Sequence, residues 1–230
     1  STFCGVVPYY IAQILHKQGK FQEVIDLAPT VLSCSVVNNE ADIQHIIGDA
    51  YYQLAKYTEA IAYLEKYHAK SKGTRDDFYE LGFSYYKTNQ FEKAIKNFDK
   101  VTRVDDSLGH ISMYQIGDAY LKADKLLPAR SAFERASDMT SLPTIQEDAL
   151  YQFAVISFKV DINPYDESVR AFENYLARYP NTKRKSDVFQ YLVNVYTTTS
   201  NYAKAIESLD KLPSMDAKLK RVYQTVAFNY

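Results

Sequence analysis

The stretch ELGFSYYKTNQFEKAIKNF, residues 80–98, decides the fold, because it has a helical apolar spacing on both sides of the polar segment KTNQ. Phe91, Ala94 and Phe98 share one face of the second half. Gly82 lies inside the first half, where a glycine costs about 1 kcal/mol relative to alanine. That cost is tolerable where a side chain would block the approach of another helix. The stretch therefore predicts two short helices in close contact, with Gly82 and Ala94 at the crossing.

Small residues recur along the whole chain at intervals of 36, 34, 35, 37, 39 and 34 residues. They are Ala12, Gly48, Gly82, Gly117, Ala154, Val193 and Ala227. A second small position follows each of the first six, at Val24, Ala60, Ala94, Ala129, Ser168 and Ala205. Two small positions per period predict two closely packed helices per repeat.

Large residues also have regular positions within the stretch 78–101. Around the two small positions Gly82 and Ala94 lie Phe78, Leu81, Tyr85, Phe91, Phe98 and Val101. This pattern resembles the tetratricopeptide repeat, a helix–turn–helix unit of about 34 residues. The resemblance is strongest from about Ala41 to Thr140 and covers nearly the whole chain. It implies an all-α fold, a right-handed α–α superhelix of about six helix–turn–helix units plus one further helix.

The repeat phase divides the chain into successive units without an interruption that would mark a second domain. The expected units are residues 5–40, 41–74, 75–109, 110–146, 147–185, 186–219 and a half unit at 220–230. We expect one solenoid domain over residues 1–230. We also expect it to be a fragment of a longer protein, because the last helix has no predicted partner.

Composition excludes several classes of protein. The chain of 230 residues is 47% hydrophobic and has a formal net charge of −1, which excludes a disordered chain. A sequence pI near 6.4 gives no basic footprint for nucleic acid. The cluster KRK at 183–185 is too short for such a patch, and no apolar run approaches the ~20 residues of a membrane span.

The sequence contains no motif that indicates catalysis: no glycine-rich phosphate loop, no G-x-S-x-G and no H-E-x-x-H. His45 and Asp49 lie four residues apart on one helix face, but zinc sites need three or four ligands. We therefore predict no enzyme activity, no cofactor and no metal. Cys4 and Cys34 either pair with each other or are free thiols, and free thiols are the preferred interpretation.

The resemblance also implies where a ligand would bind. In tetratricopeptide proteins the first helices of the units line a concave groove, and ligands meet the second, fifth, ninth and twelfth positions of each unit. The partner-binding residues expected here are Asp42, His45, Asp49, Tyr52, Asp76, Tyr79, Phe83, Tyr86, Tyr114, Asp118 and Tyr151. The same positions also include Ile111, Leu121, Asp148, Val155 and Phe158. The expected groove is aromatic and acidic.

This composition predicts the class of partner. Chaperone-binding members of the family clamp a terminal carboxylate with lysine, arginine and asparagine, whereas the matching positions here hold tyrosine and aspartate. We expect a non-catalytic scaffold that binds a neutral or basic peptide or helix, and no chaperone carboxyl tail. An alternative is a sensor or regulatory region of a larger bacterial signalling or enzymatic protein. Ordinary packing explains part of the tyrosine content.

The stretch AFENYLARYPNT, residues 171–182, is similar to repeats of bacterial cell-envelope proteins, including outer-membrane assembly lipoproteins and the partner of the Tol–Pal system. The similarity lies in the helix-ending YPN and the spacing around it. It favours the bacterial periplasm or cell envelope, and the cytoplasm stays open.

Overall fold

The computed structural model describes residues 6–34, 39–160, 167–211 and 217–230. Cys4, Gly5 and the unit junctions at 35–38 and 212–216 lie outside these residues. The chain forms two compact units, Ser1–Ala123 and Asp124–Tyr230. Within the described ranges every regular element is a helix, and there are thirteen of them.

The first unit holds seven helices: α1 (Val7–Lys17), α2 (Phe21–Ser33), α3 (Glu40–Gln53), α4 (Tyr57–Lys70), α5 (Arg75–Lys87), α6 (Phe91–Phe98) and α7 (Ser107–Lys122). The second unit holds six: α8 (Leu126–Asp138), α9 (Pro143–Val160), α10 (Glu167–Arg178), α11 (Lys185–Thr198), α12 (Tyr202–Asp210) and α13 (Ala217–Asn229). In chain order these are six successive pairs and one further helix. The prediction of an all-α helical-repeat fold is confirmed. None of the helices in the described part combines the length and apolarity that spanning a membrane requires.

Five of the six pairs turn through a residue in the left-handed conformation. The φ angles are positive at Gly19, Ala55, Asn89, Asp124 and Ser200, which occupy the same place in five of the turns. Glycine, asparagine and aspartate adopt this conformation more readily than other residues. The turn chemistry therefore repeats with the same period as the helices.

Close packing of the paired helices explains the glycine at residue 82. A Cβ atom on Gly82 would lie 3.0 Å from Cδ1 of Phe98 and 3.2 Å from Cβ of Asn97. Ala94 is fully buried, as expected. The sequence predicted that Gly82 and Ala94 meet at the crossing. In the structure the ring of Phe98, one helical turn after Ala94, lies against the glycine.

The same contact recurs in the preceding pair, where a Cβ atom on Gly48 would lie 2.8 Å from Cδ2 of Leu64. Large side chains at this repeat position form the core of both units. They are fully buried: Leu64, Phe98, Phe133, Phe172 and Leu209.

Successive first helices of the first unit also touch, since α3 packs against α1 and α5, and α5 packs against α7. Helix α5 begins with a capping box in which the Thr74 hydroxyl accepts from the Asp77 amide and the Asp77 carboxylate accepts from the Thr74 amide. This cap fixes the first turn of α5 beside α3, where the candidate site lies.

One expectation about the cysteines is wrong. Free thiols were preferred, but Cys34, which follows the last residue of α2, is disulfide-bonded. Cys4 lies outside the described residues.

Candidate functional site

Two of the aspartates expected in the groove lie on α3 and contact α1. Asp42 is exposed and accepts a hydrogen bond from the Tyr9 hydroxyl at 3.2 Å. Asp49 is buried at 6% exposure, where its carboxylate contacts the imidazole of His16 and accepts from the Gln53 amide at 2.9 Å. Asp49 is therefore already engaged by two side chains of the chain and is not open to a partner.

His45 points from α3 towards α5. Its Nε2 lies 2.8 Å from Oδ1 of Asp77, and its ring stacks on Tyr67 with centroids 4.6 Å apart. The hydrogen bond to Asp77 raises the pKa of His45 against the opposing effect of burial. This side chain of the expected set is thus held in one orientation by two neighbours.

Asp77 and Glu80, both on α5, complete an acidic cluster around His45 that sequence reasoning missed. Burial opposes ionisation of Asp77, but hydrogen bonds from His45 and the Thr74 amide lower its pKa below the usual range. Burial, and then the negative charge of Asp49, raises the pKa of Glu80 to about 8. Oε2 of Glu80 is buried without a hydrogen-bond partner in the described residues.

An aromatic cluster lies beside these carboxylates, and we call it the Phe83 cluster. Its members are Tyr52, Tyr57, Tyr79, Phe83 and Tyr86, all half-buried. The ring of Phe83 contacts the other four, with centroid distances of 5.7 to 6.1 Å. The ammonium group of Lys87 lies 5.6 Å from the Phe83 centroid. Four of the five rings were expected in the groove, and the fifth, Tyr57, is the first residue of α4.

Asp118 and Tyr86 join α5 to α7. The Tyr86 hydroxyl contacts both the Asp118 carboxylate and the Lys122 ammonium group, and Lys122 lies 3.0 Å from Asp118. Asp118 is therefore paired with a cation of its own helix. Asp76 is exposed at the start of α5, and Tyr114 is half-buried on α7.

The remaining expected residue, Tyr151, lies in the second unit on α9. The guanidinium group of Arg184 lies 4.5 Å above its ring and also pairs with the carboxylate of Asp148. Here too an aspartate and a tyrosine at expected groove positions engage a basic residue, in this case the one that precedes α11.

The cluster of His45, Asp77 and Glu80 could have been suspected from one signal. Asp77 follows Thr74 by three residues, which is the spacing of a capping box and places its carboxylate at the helix start. Glu80 gives no such signal, because the repeat position it occupies faces neither the core nor the expected groove. Only the packing of α3 against α5 shows that its carboxylate is shielded from water.

Comparison with known proteins supports the repeat type. The family profile described as anaphase-promoting complex, cyclosome, subunit 3 matches residues 53–136. No curated protein matches the sequence.

Several solved structures are similar in fold. One is YrrB, a tetratricopeptide-repeat protein with an unusual peptide-binding site, with a TM-score of 0.59 and 17% identity over 77% of this chain and 87% of that one. MamA has a TM-score of 0.58 and 17% identity over 81% of this chain and 96% of its own. A tetratricopeptide-repeat protein from Parabacteroides merdae has a TM-score of 0.54 and 13% identity over 96% of this chain and 84% of that one. These similarities show the fold of the chain, a helical repeat like that of tetratricopeptide-repeat proteins.

Proposed function

We propose that the chain is a non-catalytic scaffold that binds a neutral or basic segment of another protein, as an extended peptide or a helix, along α3, α5 and α7. The observation that carries this proposal is the Phe83 cluster, a group of half-buried rings next to carboxylates. Tyrosines give a large contact area with few side-chain torsions to immobilise, and each has a hydroxyl for hydrogen bonding. The peptide-binding character of YrrB, which shares the fold, supports this mode of action.

The charges beside the cluster favour a basic or neutral partner over an acidic one. Asp42 and Asp76 are exposed, and a carboxylate brought near them would be repelled. The rings already accept a cation, since Lys87 lies over Phe83. Because Asp49 is buried against His16 and Lys122 pairs with Asp118, the exposed surface is less acidic than its sequence indicates, and a neutral segment also fits.

Selection from a random peptide library displayed on phage tests the proposal. We expect the selected peptides to be neutral or basic, and we expect synthetic copies to bind the chain in a fluorescence anisotropy titration. The double variant Tyr79→Ala with Tyr114→Ala removes two rings of the proposed surface, each of which is half-buried. Its affinity for the peptides should fall by about 10-fold or more, which corresponds to about 1.4 kcal/mol.

The matched control is Tyr63→Ala on α4, which removes a ring that stacks on Tyr51 at 5.5 Å and not on a ring of the Phe83 cluster. This variant should bind the selected peptides as the unaltered chain does. Equal affinity of the double variant would show that the surface is not the binding site. Selection of acidic peptides would contradict the proposal that the partner is neutral or basic.

We also propose a bacterial cell-envelope setting for this scaffold. The similarity of residues 171–182 to envelope repeats supports it, with α10 ending at Arg178 just before the YPN triplet. The disulfide at Cys34 supports it too, because disulfides persist in oxidising compartments such as the periplasm. Fractionation of the source cells, followed by immunoblotting, should place the protein in the envelope fraction, and a purely cytoplasmic signal would contradict this setting.

A further inference from the structure

We propose that α3 and α5 carry a binding site for a divalent transition-metal ion, with His45, Asp77 and Glu80 as ligands. Each of the three offers one ligand atom, and these atoms all lie within 4.8 Å of one another. Two ligands bound tetrahedrally to one zinc ion at about 2.1 Å are about 3.4 Å apart. Side-chain rotations that move the ligand atoms by about 1 Å would therefore bring all three atoms around one ion, with the helices in place.

The neighbouring residues hold the ligands as the partners of metal-bound groups do. Oδ2 of Asp77 accepts from the Thr74 amide at 2.6 Å and from the Tyr67 hydroxyl at 2.9 Å, which leaves Oδ1 directed at His45. The ring of Tyr67 also stacks on the imidazole of His45. Such outer contacts fix the orientation of metal ligands and raise affinity. Here one tyrosine orients two of the three ligands.

Glu80 supplies the observation that points to a ligand. Its Oε2 atom is shielded from water and accepts no hydrogen bond in the described part of the chain. A buried carboxylate oxygen without a donor is unfavourable, and an ion at this position would satisfy it. The negative charges of Asp49 and Asp77 nearby add to the attraction for a cation.

The ligand set favours zinc or a similar ion over calcium or magnesium. Calcium takes six to eight oxygen ligands and magnesium requires an octahedron of oxygens, whereas one imidazole with two carboxylates suits zinc. Three protein ligands leave a fourth position open. The side chain of His45 is 33% exposed, so solvent can reach the site and occupy that position.

Zinc titration of the chain, first dialysed against a chelator, tests the site by isothermal calorimetry. We expect one zinc ion per chain. The variants His45→Gln and Glu80→Gln should each weaken zinc binding by about 100-fold or more, and Tyr67→Phe by about 10-fold, because outer partners contribute 10- to 100-fold. Asp77→Asn is a poorer choice because Asp77 also caps α5.

The matched control is His16→Gln, which removes an imidazole that contacts Asp49 but is not one of the three ligands, and which should not weaken zinc binding. Histidine-selective NMR should show the ring signals of His45 shifting with zinc while those of His16 stay in place. Circular dichroism must show each variant folded, and Tyr79→Ala with Tyr114→Ala should retain zinc, so this site can fail without the peptide proposal failing. The inference is overturned if the chain takes up no zinc, if His45→Gln and Glu80→Gln bind it unchanged, or if His16→Gln loses it.

Discussion

Single residues in the turns adopt the left-handed backbone conformation, which suits some residue types better than others. Ala55 has φ = 57° in the turn between α3 and α4, where Asn89 has φ = 61° in the next turn. A left-handed conformation costs an alanine roughly 1–2 kcal/mol, and glycine or asparagine much less. We expect Ala55→Gly to raise the free energy of unfolding by about 1 kcal/mol, and Asn89→Ala to lower it by a similar amount. Both residues are exposed, so urea denaturation followed by circular dichroism reports the backbone effect without a change in packing.

The helix glycines Gly48 and Gly82 give a second prediction at the residue scale. A Cβ atom on Gly48 would lie 2.8 Å from Cδ2 and 3.2 Å from the backbone nitrogen of Leu64, whereas one on Gly82 meets only side-chain atoms at 3.0 to 3.2 Å. Overpacking costs about 1–3 kcal/mol, against which alanine gains about 1 kcal/mol of helix propensity. We expect Gly48→Ala to destabilise the fold by about 1 kcal/mol and Gly82→Ala to do so less. A higher urea midpoint for Gly48→Ala would contradict the close approach of α3 and α4.

Residue spacing predicted which side chains are buried more reliably than it predicted which atoms touch. The small residues and the large ones of the repeat follow helical periodicity, and periodicity determines the face on which a residue lies. The partner of Gly82 depends on how far the two helices slide along each other, which spacing does not contain. Hence the burial of Ala94 was predicted correctly, whereas the contact between Phe98 and Gly82 was not predicted.

Helices were predictable from the sequence where the apolar pattern is long and regular. Helix α2 tests this, because it contains a proline. Pro29 lies in its interior, at an exposed position, and cannot donate the hydrogen bond that a helix makes there. We expect Pro29→Ala to stabilise the fold by about 1–3 kcal/mol, the range set by the helix penalty of proline. The measurement is the urea midpoint, with Pro8→Ala as control, since Pro8 occupies the first turn of α1 where no such bond exists. Equal midpoints for Pro29→Ala and the unaltered chain would indicate that α2 is interrupted at Pro29.

Between elements, the sequence could place the candidate groove residues on first helices but could not show which charges compensate each other. Asp49 contacts His16 and Asp118 pairs with Lys122, so two of the four aspartates among the expected partner-binding residues already have a partner within the chain. The contact between His16 and Asp49 joins residues a full repeat apart, and its existence depends on the offset of α1 against α3. The same offset between α3 and α5 creates the cluster of His45, Asp77 and Glu80. Spacing within one helix therefore showed His45 and Asp49 as a pair, whereas packing across helices gives His45 different partners.

For the molecule as a whole, contacts between neighbours determine how stability is distributed. In the second unit the substantial contacts join consecutive helices, from α8 with α9 to α12 with α13. In such an array each helix is stabilised by its interface with the next, and a local change stays local. We therefore expect a change at one interface of this unit to act mainly on the two helices that share it.

Val226 of α13 makes this whole-molecule expectation testable, because it is fully buried while the residues on either side of it, Thr225 and Ala227, are exposed. We expect Val226→Ala to remove about 1 kcal/mol or more of the interface between α12 and α13, in line with the cost of deleting buried methyl groups. Hydrogen exchange followed by mass spectrometry should then show faster exchange in α13, with α8, α9 and α10 unchanged. Gln224→Ala, at an exposed position of the same helix, is the control and should alter nothing. Faster exchange throughout α8–α13 would show instead that this unit unfolds as one cooperative body, since a loss at its last interface would then lower the protection of every helix in it.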